Sequence, residues 1–158
     1  RSRPDSTIQP DPGDNAKVIR YTLSLSRLPA IDINSLEQVD NRIDCFFSLC
    51  EQFDIKPAVA SLARAFGINR ITLFNWLNGK THTIKNEKCL NTLKAAYDMI
   101  NSQYEIYMNT GKINPVAGIF LMKNNMGYKD NTEFTITANQ EKQDNITDIA
   151  NRAGLLSE

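Results

Sequence analysis

The chain has 158 residues, 41% of them apolar and 23% charged, with 18 basic side chains balanced by 18 acidic ones. That size allows one domain, or a small domain with an oligomerisation arm and tails, of ordinary soluble composition. No apolar run approaches the roughly 18–20 residues that span a membrane, and residues 1–13, polar and proline-containing, read as neither a signal peptide nor a transit peptide.

Residues 1–13 read as a disordered tail. Asp14 to Arg27 reads either as a short helix capped by Asp14 and stopped before Pro29, or, from the alternation of Tyr21, Leu23 and Leu25, as a strand. A longer helix is predicted from Asn34, which forms a capping box with Glu37. Leu36, Val39, Ile43, Phe46, Phe47, Cys50 and Phe53 then recur at three- and four-residue spacing and make one apolar face. Pro57 suits the first turn of a new helix. Helices over 58–66 and 69–78 follow, separated by Gly67 and closed by Gly79, and residues 80–86 make a polar loop.

The longest helix is expected from about Asn86 to Thr110. Its stripe of Leu90, Leu93, Tyr97, Ile100, Tyr104 and Tyr107 is near-heptad, and Gly111 is its C-terminal cap. Asn114 and Pro115, as cap and first helical residue, open a last helix to about Met126, closed by Gly127. Joined by a short turn, these two helices read as an αα-hairpin. Val116 to Met122 is apolar on most sides, which calls for burial against the long helix and a second subunit. Beyond Asp130 the chain is polar, with a short strand at Phe134–Thr137 and a weak helix at Ile146–Leu156 as candidates. The class is all-α, with a short C-terminal strand or tail. The organisation is a flexible arm over 1–30, a helix-turn-helix domain over 31–85, a helical hairpin for oligomerisation over 86–130 and a tail over 131–158.

Charge is distributed unevenly along this neutral chain. From Ile31 to Phe53 there are five acids (Asp32, Glu37, Asp40, Asp44, Glu51) and one base, Arg42. From Lys56 to Lys94 there are seven bases (Lys56, Arg64, Arg70, Lys80, Lys85, Lys88, Lys94) and one acid, Glu87. A basic stretch of this kind is a footprint for a polyanion; its bland counterpart is a solvated helical face.

The segment from Ala58 to Asn78 meets the demands of two helices crossing over a tight turn. Ala63 is small where the second helix crosses, Gly67 permits a positive φ at the turn, and Leu62, Phe66, Ile68, Leu73 and Trp76 are apolar where a shared core is needed. In a helix-turn-helix the second helix enters the major groove N-terminus first. The residues expected at its surface are Asn69, Arg70, Thr72 and Asn75, with Phe74 partly exposed. Arg70 suits guanine, Asn69 or Asn75 suits adenine, and Thr72 suits a phosphate or a thymine methyl. Arg64, Lys80 and Lys85 are placed for phosphates.

Enzyme chemistry finds no support. The two Gly-Lys pairs, Gly79-Lys80 and Gly111-Lys112, lack the glycine a phosphate loop needs five residues earlier, where Phe74 and Ile106 stand. His82 is the one histidine, with no nucleophile elbow beside it. Glu37, Asp40, Asp44 and Glu51 sit opposite the apolar face of their helix and read as its solvated side rather than a two-metal site. Cys45, Cys50 and Cys89, odd in number and without paired spacing, read as free thiols in a reducing compartment rather than zinc ligands or disulfides. No cofactor or metal is expected.

The run Gly118-Ile-Phe-Leu-Met-Lys-Asn-Asn-Met-Gly-Tyr-Lys-Asp-Asn-Thr-Glu133 resembles the "GAIFxLKNxxGWKDKTE" stretch of the small terminase subunits of tailed bacteriophages and prophages. Asn114-Pro115-Val-Ala-Gly118 fits its lead-in, and the order of elements, a helix-turn-helix followed by a long amphipathic helix, fits as well. The resemblance covers about residues 40–134; Met122, Met126 and Tyr128 depart from it, the last where tryptophan is expected. It implies a non-catalytic protein that recognises viral double-stranded DNA for packaging and presents it to the large terminase subunit, which carries the ATPase and nuclease. It also implies a homo-oligomeric ring, and the cytoplasm of a bacterial host as the setting. Carried onto this chain, Leu90, Leu93, Tyr97, Ile100, Tyr104, Tyr107, Val116, Ile119 and Phe120 would form the ring interface, and the segment after Phe134 would dock the large subunit. Two rival readings stand: a phage or mobile-element transcriptional regulator acting as a dimer on a palindrome, and an interaction protein whose basic stretch binds an acidic partner.

Overall fold

The computed structural model describes residues 11–126 and Gly154. The described residues are all-helical, with no strand among them. The helices are α1 (Asp14–Ser26), α2 (Leu36–Phe53), α3 (Val59–Ala65), α4 (Arg70–Leu77), α5 (Glu87–Asn109) and α6 (Pro115–Met126). The chain divides into two units at Gly118, within α6. The tail candidates at Phe134–Thr137 and Ile146–Leu156, Gly127, and the first ten residues lie outside the described residues.

The core of the first unit is built on α2, which packs against α1, α3 and α5. Val39, Ile43, Phe46 and Cys50, at the predicted helical spacing, are buried along one face of α2. Glu37, Asp40, Asp44 and Glu51 lie exposed on the same helix, so its charge is solvated. From α5 the buried set is Cys89, Leu93, Ala96 and Ile100, and α3 and α4 add Leu62, Ala63 and Leu73.

The segment 14–26 resolves as a helix, and Asp14 is its first residue rather than its cap, which is Gly13. The expected arm over 1–30 needs correcting. Tyr21 and Leu25 of α1 are 3% and 2% exposed and belong to the core. The Tyr21 hydroxyl lies 3.2 Å from Cys50 Sγ, and burial pushes both the phenol and the thiol up from their usual pKa values. The expected boundary between residues 85 and 86 is likewise no boundary in packing, since α5 packs on both α2 and α4 within one unit.

The capping box expected at Asn34 does not form. Ser35 caps α2 without a side-chain bond. Asn34 is instead recruited across the fold: its Oδ1 accepts from the Lys85 and Asn86 amides at 2.7 and 3.1 Å, and its carbonyl accepts from Asn86 Nδ2 at 3.1 Å. Asn86 in turn caps α5, its Oδ1 accepting from the Lys88 amide. Orphan amides at the start of α5 are satisfied from a loop some fifty residues earlier in sequence, which pins that helix to the lead-in of α2.

Among the described residues, one charged side chain is inside. Arg42, on α2, is 6% exposed. It donates to the carbonyl of Ala65 at the end of α3 and to the carbonyl of Pro29 in the loop after α1. A cation at a helix C-terminus meets the negative end of the dipole and fills carbonyls that have no intrahelical partner. Replacing it removes both contacts and leaves the buried Ala65 carbonyl without its partner. Arg42→Met is therefore expected to lower unfolding stability by about 2–4 kcal/mol in a urea titration; a loss within ~0.5 kcal/mol, the range of an ordinary surface substitution, would refute this role.

Candidate nucleic-acid interface

The segment from α3 through α4 is organised by its turn. At the end of α3 the Gly67 amide donates to Arg64 and the Ile68 amide to Ala63, 2.9 and 3.1 Å, a Schellman closure. Gly67 has φ 72°, which suits a residue without Cβ, and nothing lies within 4 Å of where a Cβ would sit, so the requirement there is of backbone conformation rather than space. Arg42 holds the Ala65 carbonyl one turn earlier. Two residues after the glycine, Asn69 caps α4: its Oδ1 accepts from the Thr72 amide at 2.8 Å and from the Thr72 hydroxyl at 3.1 Å. Gly79 closes α4 as Gly67 closes α3, with the Lys80 amide donating to Asn75 at 3.0 Å.

The inward side of α4 is Leu73, 1% exposed, with Trp76 and Leu77 half-buried on the core. Helical geometry then puts Ile71, Phe74 and Asn78 on the outward side, three and four residues apart, whereas Arg70, three residues before Leu73, stands at the first turn nearer the inward side. Arg70, Ile71, Phe74 and Asn78 are all exposed. Lys80 follows, also exposed, with Nζ 5.2 Å above the centre of the Phe74 ring. Arg64 is exposed on the last turn of α3, with Nη1 3.4 Å from Ser26 Oγ.

Sequence reasoning assigned seven residues to this surface. Arg64, Arg70 and Lys80 lie exposed as expected, and the charge of Arg70 acts on Tyr97, partly countering the burial that raises that phenol. Lys85 is exposed, and its backbone is fixed by Asn34. Asn75 and Thr72 are only half-exposed. Asn69 is exposed, and its amide oxygen, which a bidentate adenine contact would also use, already accepts from Thr72. The cap is the stronger local demand, because the first amides of a short helix have no other partner.

Ile71 was missed. At 70% exposure it is among the more exposed large apolar side chains described, and Phe74 beside it is 47% exposed. The signal was present: with Ile68, Leu73, Trp76 and Leu77 assigned inward, a helical wheel leaves Ile71 on the outside.

The nine residues assigned to a subunit interface divide in three. Leu93 and Ile100 are fully buried within the chain, where α5 packs on α2, and have no surface to offer a second copy. The inner half of the heptad stripe is thus consumed by the chain's own core. Leu90, Tyr97, Tyr104 and Tyr107 are half-buried; the Tyr104 and Tyr107 rings meet edge-on at 6.2 Å, and Lys56 Nζ stands 5.4 Å over Tyr107. Val116, Ile119 and Phe120 of α6 are 76%, 51% and 67% exposed. The expected opening of α6 holds, with Asn114 Oδ1 accepting from the Val116 amide at 2.9 Å. Gly118 is buried against α5, and a Cβ there would collide with Met108 Sδ.

Elsewhere, a cleft of about 630 Å³ opens beside the C-terminal ends of α2 and α5, lined by Phe47 and Tyr107 with Glu51, Asp54, Lys56 and Lys112. Its balanced charges do not select a polyanion. Among the described residues no cluster of His, Cys, Asp and Glu could hold a metal ion, and no helix is long and apolar enough to cross a membrane. No protein-family model, curated protein or solved structure matches the chain.

The cap can be tested apart from any ligand. Asn69→Ala is expected to cost about 1 kcal/mol of stability, whereas Asn69→Asp, which keeps the accepting oxygen, costs a few tenths at most. Equal losses in thermal or urea unfolding would show that the Asn69 side chain does not hold the start of α4 through that oxygen.

Proposed function

We propose that the chain is a DNA-recognition protein in which α3 and α4 form a helix-turn-helix and α4 reads the major groove, and that it serves as the small subunit of a viral DNA-packaging terminase. The observation that carries DNA recognition is the outward side of α4. It is a short, capped helix with a surface uncommitted to the core, flanked by Arg64 on α3, Arg70 at its first turn and Lys80 just past its end. A tight turn held by backbone bonds and Arg42 keeps that surface in a fixed relation to α3, as groove recognition requires.

The terminase assignment is supported by the resemblance across residues 40–134 and by the exposed apolar side chains of α6, which suit a second copy of the chain. In this role the protein has no catalysis of its own. It binds viral DNA in the cytoplasm of a bacterial host and presents it to a large subunit with ATPase and nuclease activity. A ring of such subunits would multiply weak single-site contacts by avidity. The rival reading, a dimeric transcriptional regulator, is favoured by one observation: with Leu93 and Ile100 buried internally, the surface left on α5 for oligomerisation is smaller than the heptad stripe promised.

Two measurements decide. In fluorescence anisotropy with a labelled duplex, affinity is expected to fall with salt on a logarithmic slope of about −3 per bound subunit, from phosphate contacts by Arg64, Lys80 and Lys85, and Lys80→Ala is expected to reduce that slope by about 1. Failure to bind duplex at low salt would remove the DNA reading. Light scattering separates the two roles: a closed assembly of about eight or more subunits supports the packaging ring, and a dimer supports the regulator.

A further inference from the structure

We propose that Ile71 and Phe74 read the 5-methyl groups of thymine, so that the duplexes this chain prefers are selected by apolar contact in the major groove more than by hydrogen bonds to base edges. This rests on the reading of α4 as a groove-binding helix and names what that helix recognises.

Four observations lead there. Ile71 and Phe74 are 70% and 47% exposed, and their three-residue spacing puts them on one side of α4, away from Leu73. Neither is needed to close the core, which α4 reaches through Leu73, Trp76 and Leu77. Three of the amide and hydroxyl side chains around them are turned to the helix itself, and Asn75 is half-buried: Asn69 Oδ1 holds the Thr72 amide and hydroxyl, and Asn78 Nδ2 donates to the Phe74 carbonyl at 2.8 Å. The apolar pair is bordered by cations, with Arg70 preceding Ile71 and Lys80 5.2 Å over the Phe74 ring. An apolar pair framed by positive charge fits an apolar group carried on a polyanion. In the major groove that group is the thymine methyl, the one large apolar feature a base pair presents there. An apolar protein surface would bury the same side chains but gives the flanking cations no counter-charge.

The test exploits the fact that deoxyuridine differs from thymidine by that methyl alone. Duplexes are selected from a random pool by binding to the full chain at low salt. The selected duplex is then remade with deoxyuridine in place of thymidine. For the wild-type chain, the substitution is expected to weaken binding roughly threefold to fivefold for each thymine contacted, the worth of one buried methyl. Ile71→Ala is expected to discriminate between the two duplexes less than the wild type does, the remainder coming from Phe74, and Ile71→Ala with Phe74→Ala to bind both alike. The far-UV circular dichroism of Ile71→Ala should match the wild type, because the side chain is mostly exposed. Ile71→Val should keep part of the discrimination. Lys80→Ala should weaken both duplexes equally and preserve their ratio. Equal affinity of the wild type for both duplexes overturns the thymine reading and leaves DNA binding standing. So does a result in which Ile71→Ala alters the mass of the assembly but not the ratio, which would make this surface a protein contact. A chain that selects no duplex overturns the underlying DNA reading as well.

Discussion

The Arg42 guanidinium sits where the loop after α1, the middle of α2 and the end of α3 converge, and the arrangement of the first three helices depends on it. Removing a guanidinium from water costs several kcal/mol, and that cost is offset only when its donors find good acceptors. Here they find the carbonyls of Ala65 and Pro29. The Ala65 carbonyl lies in the last turn of α3, where no helical amide remains to bind it. Arg42 thus replaces the missing next turn of the helix and frees the chain to reverse at Gly67. The Schellman bonds from Gly67 and Ile68 complete the closure, and Asn69 opens α4 two residues later. A continuous series of satisfied backbone groups therefore runs from the core to the first turn of α4, with no apolar contact needed from the outward face of that helix.

A second clamp anchors the other end of the segment. Asn34 accepts hydrogen bonds from Lys85 and Asn86 at the start of α5, fixing where the loop after α4 must end. Together the two clamps hold α4 and α5 to α2 from opposite sides of the sequence. The outward side of α4 is then left to carry Ile71 and Phe74 without loss of core, on a rigid element of the kind a recognition surface needs.

Much of this was legible in the sequence where one demand dominated. The apolar spacing of α2, the glycines at 67 and 79, and the Asn114-Pro115 opening of α6 each answer to local geometry, and each appears as read. The misreadings share a cause: a side chain or face with two possible partners took the other one. Asn34 had a local partner in the helix it precedes and a remote one at α5, and the remote amides won. Asn69 could read a base or cap a helix, and the unsatisfied first turn of α4 claimed it. Arg42 read as one base among five acids and is a buried clamp. The heptad stripe of α5 looked like a seam between subunits, but periodicity reports that a face is covered, not whether the cover is another helix of the same chain. Leu93 and Ile100 lie in the chain's own core. Segment 14–26, ambiguous between helix and strand, was decided by tertiary burial of Tyr21 and Leu25.

The candidate interface was thus located by pattern and refined by burial. Its cations were identifiable from charge, whereas its apolar members were visible only once the inward face of α4 was fixed. The most direct check on the account is a map of backbone amide shifts in the full chain, recorded by NMR with and without a duplex at low salt. The account expects the largest changes to fall between Gly67 and Lys80 and at Arg64, with the amides of the α2 core little moved. Changes centred on another face, or none at saturating duplex, would contradict the claim that α4 is the surface through which this protein meets DNA.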